Sequence, residues 1–318
     1  MGFNLEEKYN ILNEKECLKM VRDIILFSGV FKKIYCIGIA GSIGRKEKKI
    51  IDSNLNDVDF FVIAEDIIKE KAQLEKKLNQ ILKTEFSDIL YLNIKKYKKI
   101  YSMNTLEQSF YDLMLGSIYL YEKTEFREIN KKIILKKYNI SHRSAFTVYC
   151  TRMWCLVGAY DFNEKEGIII KDEKFANYQV KKAISAIIDA TLILNNKYIG
   201  IKTFQKIEAL KTTKFYFKYQ EYYNKILDIY LNKDFKVTEK DYIQILDIYL
   251  YFGELILKYK LLFWELIKNK PYIIFKKNNF ILIRTYLRRY FYLKKIYSLL
   301  LKNKFDKRIK IYMTLFLK

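Results

Sequence analysis

Apolar residues recur at helical spacing through residues 14–29 (EKECLKMVRDIILFSG), and the run stops at a glycine. Residues 34–39 are short and wholly apolar, as a buried strand would be, and Ala40-Gly41-Ser42 breaks them. Residues 56–63 (NDVDFFVI) read as a second strand, 67–82 as a charged amphipathic helix and 86–94 (FSDILYLNI) as a third strand. Strand, turn, strand, helix, strand within so short a stretch predicts an α/β unit around a small mixed sheet. A helix over 106–114 and a short strand over 117–121 follow. From about residue 140 the period is helical, with helices expected over roughly 142–160, 174–195, 203–230 and 238–268, and two more in the tail. Residues 161–171 read as a loop, and no internal repeat is present. The pattern predicts an α+β chain in three parts: an α/β domain over 1–135, an all-α helical domain over 136–268 and a basic amphipathic helical tail over 269–318.

The second strand carries two acids. Side chains alternate along a strand, so Asp57 and Asp59 share one face and Val58 takes the other. Neighbouring carboxylates repel and are costly to desolvate unless a cation sits between them. Hard oxygen ligands suit Mg²⁺, which binds through one or two carboxylates together with substrate phosphates. The plain alternative is a solvated edge strand that holds an acid pair by chance. The upstream turn bears on that choice. Gly41-Ser42 follows a buried strand and offers amides and a hydroxyl that suit a triphosphate, with Arg45 three residues beyond Ser42. Asp88, at the start of the third strand, is the candidate third acid, and Glu85 is the fallback.

Gly41-Ser42, then Asp57-Val58-Asp59, then an acid on the next strand resembles the DNA polymerase β-like nucleotidyltransferase superfamily, over about residues 30–125. The helices that follow resemble the second domain of its small-molecule members, such as antibiotic nucleotidyltransferases. The resemblance implies an α/β nucleotidyltransferase domain joined to a helical domain that closes on Mg-NTP and the acceptor. Asp57, Asp59 and Asp88 would be the catalytic, metal-binding acids for two Mg²⁺ ions. Gly41 and Ser42 would hold the β- and γ-phosphates, with Arg45 neutralising their charge. Lys182, or Lys181 beside it, would reach the triphosphate from the helical domain, unless the pair is only a solvated helix face. The implied reaction moves a nucleoside monophosphate from an NTP to a hydroxyl or phosphate of a small-molecule or lipid-linked acceptor. Transfer to a protein or RNA is the alternative, as is a nucleotide-binding scaffold without catalysis. Trp154 and Tyr178 read either as an acceptor floor or as core, and His142 as an ordinary cap-region residue.

Charge adds one feature. The formal net charge is +23, but only nine of the 59 basic residues are Arg, so much of the excess reflects a bias toward Lys. Its distribution is more telling, because residues 268–318 hold fifteen basic residues and one acid. Three readings of this tail stand: an amphipathic end packed on the helical domain, a contact with an anionic membrane surface, or a contact with an RNA backbone. Cys17, Cys36, Cys150 and Cys155 have no metal-ligand spacing and there is a single histidine, so they read as core residues of a reduced protein. The start of the chain has no basic segment followed by an apolar run, and no stretch of about 18 residues is free of charge. A cytoplasmic protein is expected, peripheral at most to the inner face of the membrane.

Overall fold

The computed structural model describes residues 13–51, 57–136, 138–158, 160–163, 167–170, 172–198, 202–232, 234–257, 278–300, 309 and 311–313. The chain is α+β and divides into two compact units, Met1–Asn139 and Ile140–Lys318.

In the first unit, α1 (Glu14–Leu26) opens on a reciprocal cap: Asn13 Oδ1 accepts from the Glu16 amide and Glu16 Oε2 accepts from the Asn13 amide, both at 3.1 Å. Cys17, Val21 and Ile25 recur every fourth residue and are buried. The helix ends at Leu26, short of the expected 29, and Gly29 turns the chain at φ +68°. Then come β1 (Phe31–Ile39), a single helical turn α2 (Gly41–Gly44), β2 (Asp57–Ile67), α3 (Ala72–Leu82) and β3 (Phe86–Asn93). β2 outlasts the expected strand because residues beyond 63 pair with the start of β1, as in Ile34↔Ala64 and Phe31↔Ile67. That pairing delays the next helix from 67 to Ala72. α4 (Ile94–Lys99), a 3₁₀ turn (Ile100–Ser102), α5 (Gln108–Leu115), β4 (Ile118–Glu122) and α6 (Thr124–Leu135) complete the unit, α6 where periodicity raised no expectation.

The sheet order is β3–β2–β1–β4, with β1 antiparallel to β2 and β4 and β2 parallel to β3, a mixed sheet as expected. One face, with Ile37, Ile39, Val58, Phe60, Val62 and Ile89, packs under Val21 and Ile25 of α1 and Leu74 and Leu78 of α3. The other, with Cys36, Phe61 and Ile63, packs under Tyr97 of α4, Met114 of α5 and Phe126 and Ile133 of α6. Phe61 lies across Gly38 so closely that any Cβ there would enter its ring, so the β1 glycine is a packing requirement. On the face that carries Asp57 and Asp59 the start of β2 is exposed, while Val58 between them is buried on the other.

The second unit holds α7 (His142–Arg152), α8 (Cys155–Gly158), β5 (Tyr160–Asn163), β6 (Gly167–Ile170), α9 (Glu173–Leu194), α10 (Thr203–Lys211), α11 (Lys214–Lys218), α12 (Gln220–Leu231), α13 (Glu239–Leu257) and α14 (Asn278–Leu300). Residues 161–171, expected as a loop, supply most of an antiparallel hairpin, and the unit is therefore not all-α. The β-branched run Ile168-Ile169-Ile170 favours extended backbone and forms its second strand. The expected 203–230 helix is three helices, because Thr213 caps a new one: its Oγ1 accepts from the Tyr216 amide at 3.0 Å. Fourteen of the 22 residues of α9 are buried, so this helix is the hub around which α7, α10, α12 and α13 pack. Tyr149 and Tyr249 stack and donate reciprocally to each other's backbone carbonyl.

Of the basic tail, α14 packs on α13, with Tyr290 donating to the Leu250 carbonyl at 3.1 Å and Lys294 paired to Glu254 at 2.7 Å. The end of the expected 238–268 helix and much of the second tail helix lie outside the described residues. No helix among the described residues is long and apolar enough to cross a membrane. All four cysteines are buried, and burial raises the thiol pKa of Cys36 and Cys150.

Candidate functional site

The sheet brings the predicted acids together on one face. β2 and β3 run parallel with Asp57 opposite Phe86 and Asp59 opposite Asp88, and residues directly opposite in a ladder point to the same side. Asp57, Asp59 and Asp88 are all exposed, whereas Val58, Ser87 and Ile89 between them are buried on the other face. Glu85 precedes β3, out of phase with Asp88, and so is the poorer third acid.

The Gly-Ser turn lies against the same acids. Antiparallel pairing of β1 with β2 ends at Ile39↔Phe60, and the Ala40 amide donates to the Asp59 carbonyl at 2.8 Å. Gly41 then takes φ +64°, and a Cβ at this position would stand 2.6 Å from Asp59 Oδ2. The turn is thus in contact with one carboxylate of the pair. Gly44 seals the other end of the turn, where a Cβ would collide with the carbonyls of Gly116 and Ile39. The first amides of a helical turn have no partner within it, so α2 brings unpaired backbone donors to the residue that touches Asp59. Exposed Lys46, Glu47 and Lys48 follow it. Gly41→Ala imposes both a disfavoured φ and a clash with Asp59. We expect it to lower stability by about 1–3 kcal/mol, the cost of a non-glycine residue held in that conformation. Denaturant unfolding checks this.

Arg45 is turned toward Glu47, with Nη2 2.8 Å from its Oε2. Lys182 belongs to the second unit, on α9, where its ammonium lies 4.3 Å from the ring centre of Tyr178. Lys181 donates to the Asn232 carbonyl at 2.5 Å. Trp154 and Tyr178 are each more than a third exposed, so neither is core. His142 pairs its Nε2 with Asn196 Oδ1 at 3.1 Å, beside the cap of α7.

Residues that the pattern did not single out complete the acid face. Lys71 Nζ meets Glu75 Oε1 at 2.7 Å, Asp88 Oδ1 at 3.0 Å and the Ile89 carbonyl at 2.9 Å. Glu75 Oε1 also accepts from the Ile89 amide at 2.9 Å. The pair covers the outer edge of β3, where both backbone groups of Ile89 point. The Lys71 ammonium holds the Asp88 carboxyl below its ordinary pKa. Lys71→Met is expected to cost about 1 kcal/mol at neutral pH, the usual worth of such hydrogen bonds. Because the Asp88 pKa is depressed in the folded state, its share of that stability exists above the ordinary carboxylate pKa. It fades as pH falls through the lowered value. Denaturant titrations at neutral and acid pH should show the wild-type advantage shrinking in acid. Phe86 and Leu90 flank Asp88 on the same face at 67% and 47% exposure. The i,i+4 spacing of Lys71 and Glu75 and the alternation of FSDILYL were the available signals for these residues.

Hard, anionic oxygens at Asp57 and Asp59 beside a glycine cradle fit a Mg²⁺-nucleotide. Asp88 shares the face but is engaged by Lys71, and among the described residues no group of three or more His, Cys, Asp or Glu side chains is gathered tightly enough to hold a metal ion. Asp57 and Asp59 are of the chemistry that such a ligand needs, and Asp88 would join them only by exchanging its lysine. No family model matches the chain, and no curated protein matches it.

Proposed function

We propose that residues 30–125 form a nucleotidyltransferase domain that moves a nucleoside monophosphate from a Mg-NTP to a hydroxyl or phosphate of a small or lipid-linked acceptor. One observation carries the reading: an exposed Asp57/Asp59 pair on β2, with Asp88 in register beside it and Gly41 pressed against the Asp59 carboxylate. In this reading Asp57 and Asp59 hold the metal. Bound there, Mg²⁺ supplies charge neutralisation of the triphosphate and of the pyrophosphate that leaves. Gly41 and Ser42 receive the β- and γ-phosphates on their amides and hydroxyl. Asp88 lies on the side of Asp59 away from the turn, and so faces the acceptor, whose hydroxyl proton it accepts. Phe86 and Leu90 form the apolar flanks of that acceptor side. Phosphoryl transfer rests on positioning and electrostatics, so this constellation needs no histidine.

The Lys71–Asp88 ion pair favours a second reading, a nucleotide-binding scaffold that no longer turns over. Binding of each of the four NTPs, with and without Mg²⁺, tests both readings when wild type is set beside Asp57→Ala/Asp59→Ala. Metal-dependent binding that is lost in the variant, with pyrophosphate release, supports the enzyme. Binding without release, when a panel of hydroxyl and phosphate acceptors is supplied, supports the scaffold. If no NTP binds, or binding ignores both acids, both readings fail.

A further inference from the structure

The far end of the first unit, where β3 runs into α4, carries a surface of a different kind. α4 presents Lys95, Lys96, Lys98 and Lys99, all exposed, around the buried Ile94, Tyr97 and Ile100. Residues 94–103 contain no acid. The last turn of α6 adds exposed Lys132, and residues 131–136 again contain no acid. Lys136 ties the two segments together: its ammonium donates to the carbonyls of Tyr101 at 2.7 Å and Met103 at 2.6 Å and lies 5.5 Å from the Tyr101 ring centre. Three large apolar side chains stand out of this basic surface, Leu135 at 83% exposure, Tyr101 at 52% and Met103 at 48%.

Lysines alone would say little in a chain this rich in them. The apolar side chains set among them are the informative part, because exposed Leu and Met are costly in water and gain nothing from a nucleic-acid backbone. An anionic bilayer satisfies both halves at once: lysines meet lipid phosphates, while Leu, Met and Tyr enter the boundary between headgroups and acyl chains. We propose that the surface formed by α4, the 3₁₀ turn and the end of α6 docks on an anionic lipid membrane. The acids lie at the opposite end of β2 and β3, so a docked domain keeps them facing away from the bilayer plane. The docking surface uses no residue of the basic tail and does not depend on the proposed chemistry.

Co-sedimentation of the full chain with phosphatidylcholine vesicles, with and without phosphatidylglycerol, tests the proposal. Wild type is expected to pellet only with the anionic vesicles. Lys95→Ala/Lys96→Ala/Lys98→Ala/Lys99→Ala should weaken binding about 100-fold or more, from about fivefold per lysine. Leu135→Ser/Met103→Ser, which leaves the charge unchanged, should weaken it about tenfold or more. All these side chains are exposed, and unchanged circular dichroism and melting confirm that the variants fold. Vesicle binding that neither variant alters would assign the membrane contact to the tail and overturn the proposal. Failure of wild type to bind anionic vesicles would overturn it as well. So would binding to polyuridylate that needs the lysines but ignores Leu135 and Met103, if vesicle binding shows the same indifference.

Discussion

If Asp59 holds the metal as proposed, replacing it with Asn is expected to lower Mg-dependent pyrophosphate release by roughly 10³-fold while the first unit stays folded. A metal ligand that loses its charge forfeits several kcal/mol of stabilisation, and each 1.36 kcal/mol is about tenfold in rate. The fold should not object. The side chain is exposed, and the contact that fixes its backbone, the Ala40 amide on the Asp59 carbonyl, does not depend on the charge. Asn also keeps the shape that Gly41 packs against. A loss of activity without a matching loss of stability would mark a functional constraint rather than a structural one. Pyrophosphate release measured beside thermal unfolding gives both. Wild-type turnover in Asp59→Asn would remove Asp59 from the site; equal losses of turnover and stability would make its role structural.

What was legible beforehand was what short-range rules encode. Alternation in NDVDFFVI puts Asp57 and Asp59 on one face, and the Gly41-Ser42 break after an apolar run marks a tight turn. Both appear in the sheet as expected. The parallel register that sets Asp88 beside Asp59 was not legible, because alternation fixes a face but not a pairing partner. Nor was the Lys71–Asp88 pair, which joins residues 17 apart through a β–α–β crossover. β2 was underread for a similar reason: Asp66 closes off the apolar run and Ile67 reads as the start of a charged helix until β1 is found to pair with both. Helix boundaries in the second unit failed where local caps interrupt a continuous apolar period, as at Thr213. The hairpin failed because its second strand is a run of only three isoleucines, too short to show a period.

The second unit offers the sharper stability test, in α9, whose buried stretch holds a charged residue paired to α10. Asp189, with a side chain 9% exposed, meets Lys206 Nζ of α10 at 2.8 Å, and the lysine side chain is itself 14% exposed. Lys206 Nζ also lies 5.1 Å from the centre of the Tyr198 ring. Lys206→Met keeps the volume of the stem and removes the charge, leaving a carboxylate in a dry site. Breaking one half of a buried pair costs about 3–5 kcal/mol, a large share of the ~5–15 kcal/mol that holds a domain together. Denaturant unfolding should show a correspondingly lower midpoint. Lys206→Met/Asp189→Leu removes both charges and should recover most of the loss, since well-packed apolar replacements of such pairs are near neutral. Added salt separates this pair from surface ones such as Lys225–Glu221: burial shields it from screening, so its coupling energy should not change with ionic strength. A double variant no more stable than Lys206→Met would show that the loss comes from disturbed packing around Tyr198 rather than from a stranded charge. A coupling that faded with salt would mean that water reaches the pair and that α9 is less enclosed than its burial indicates.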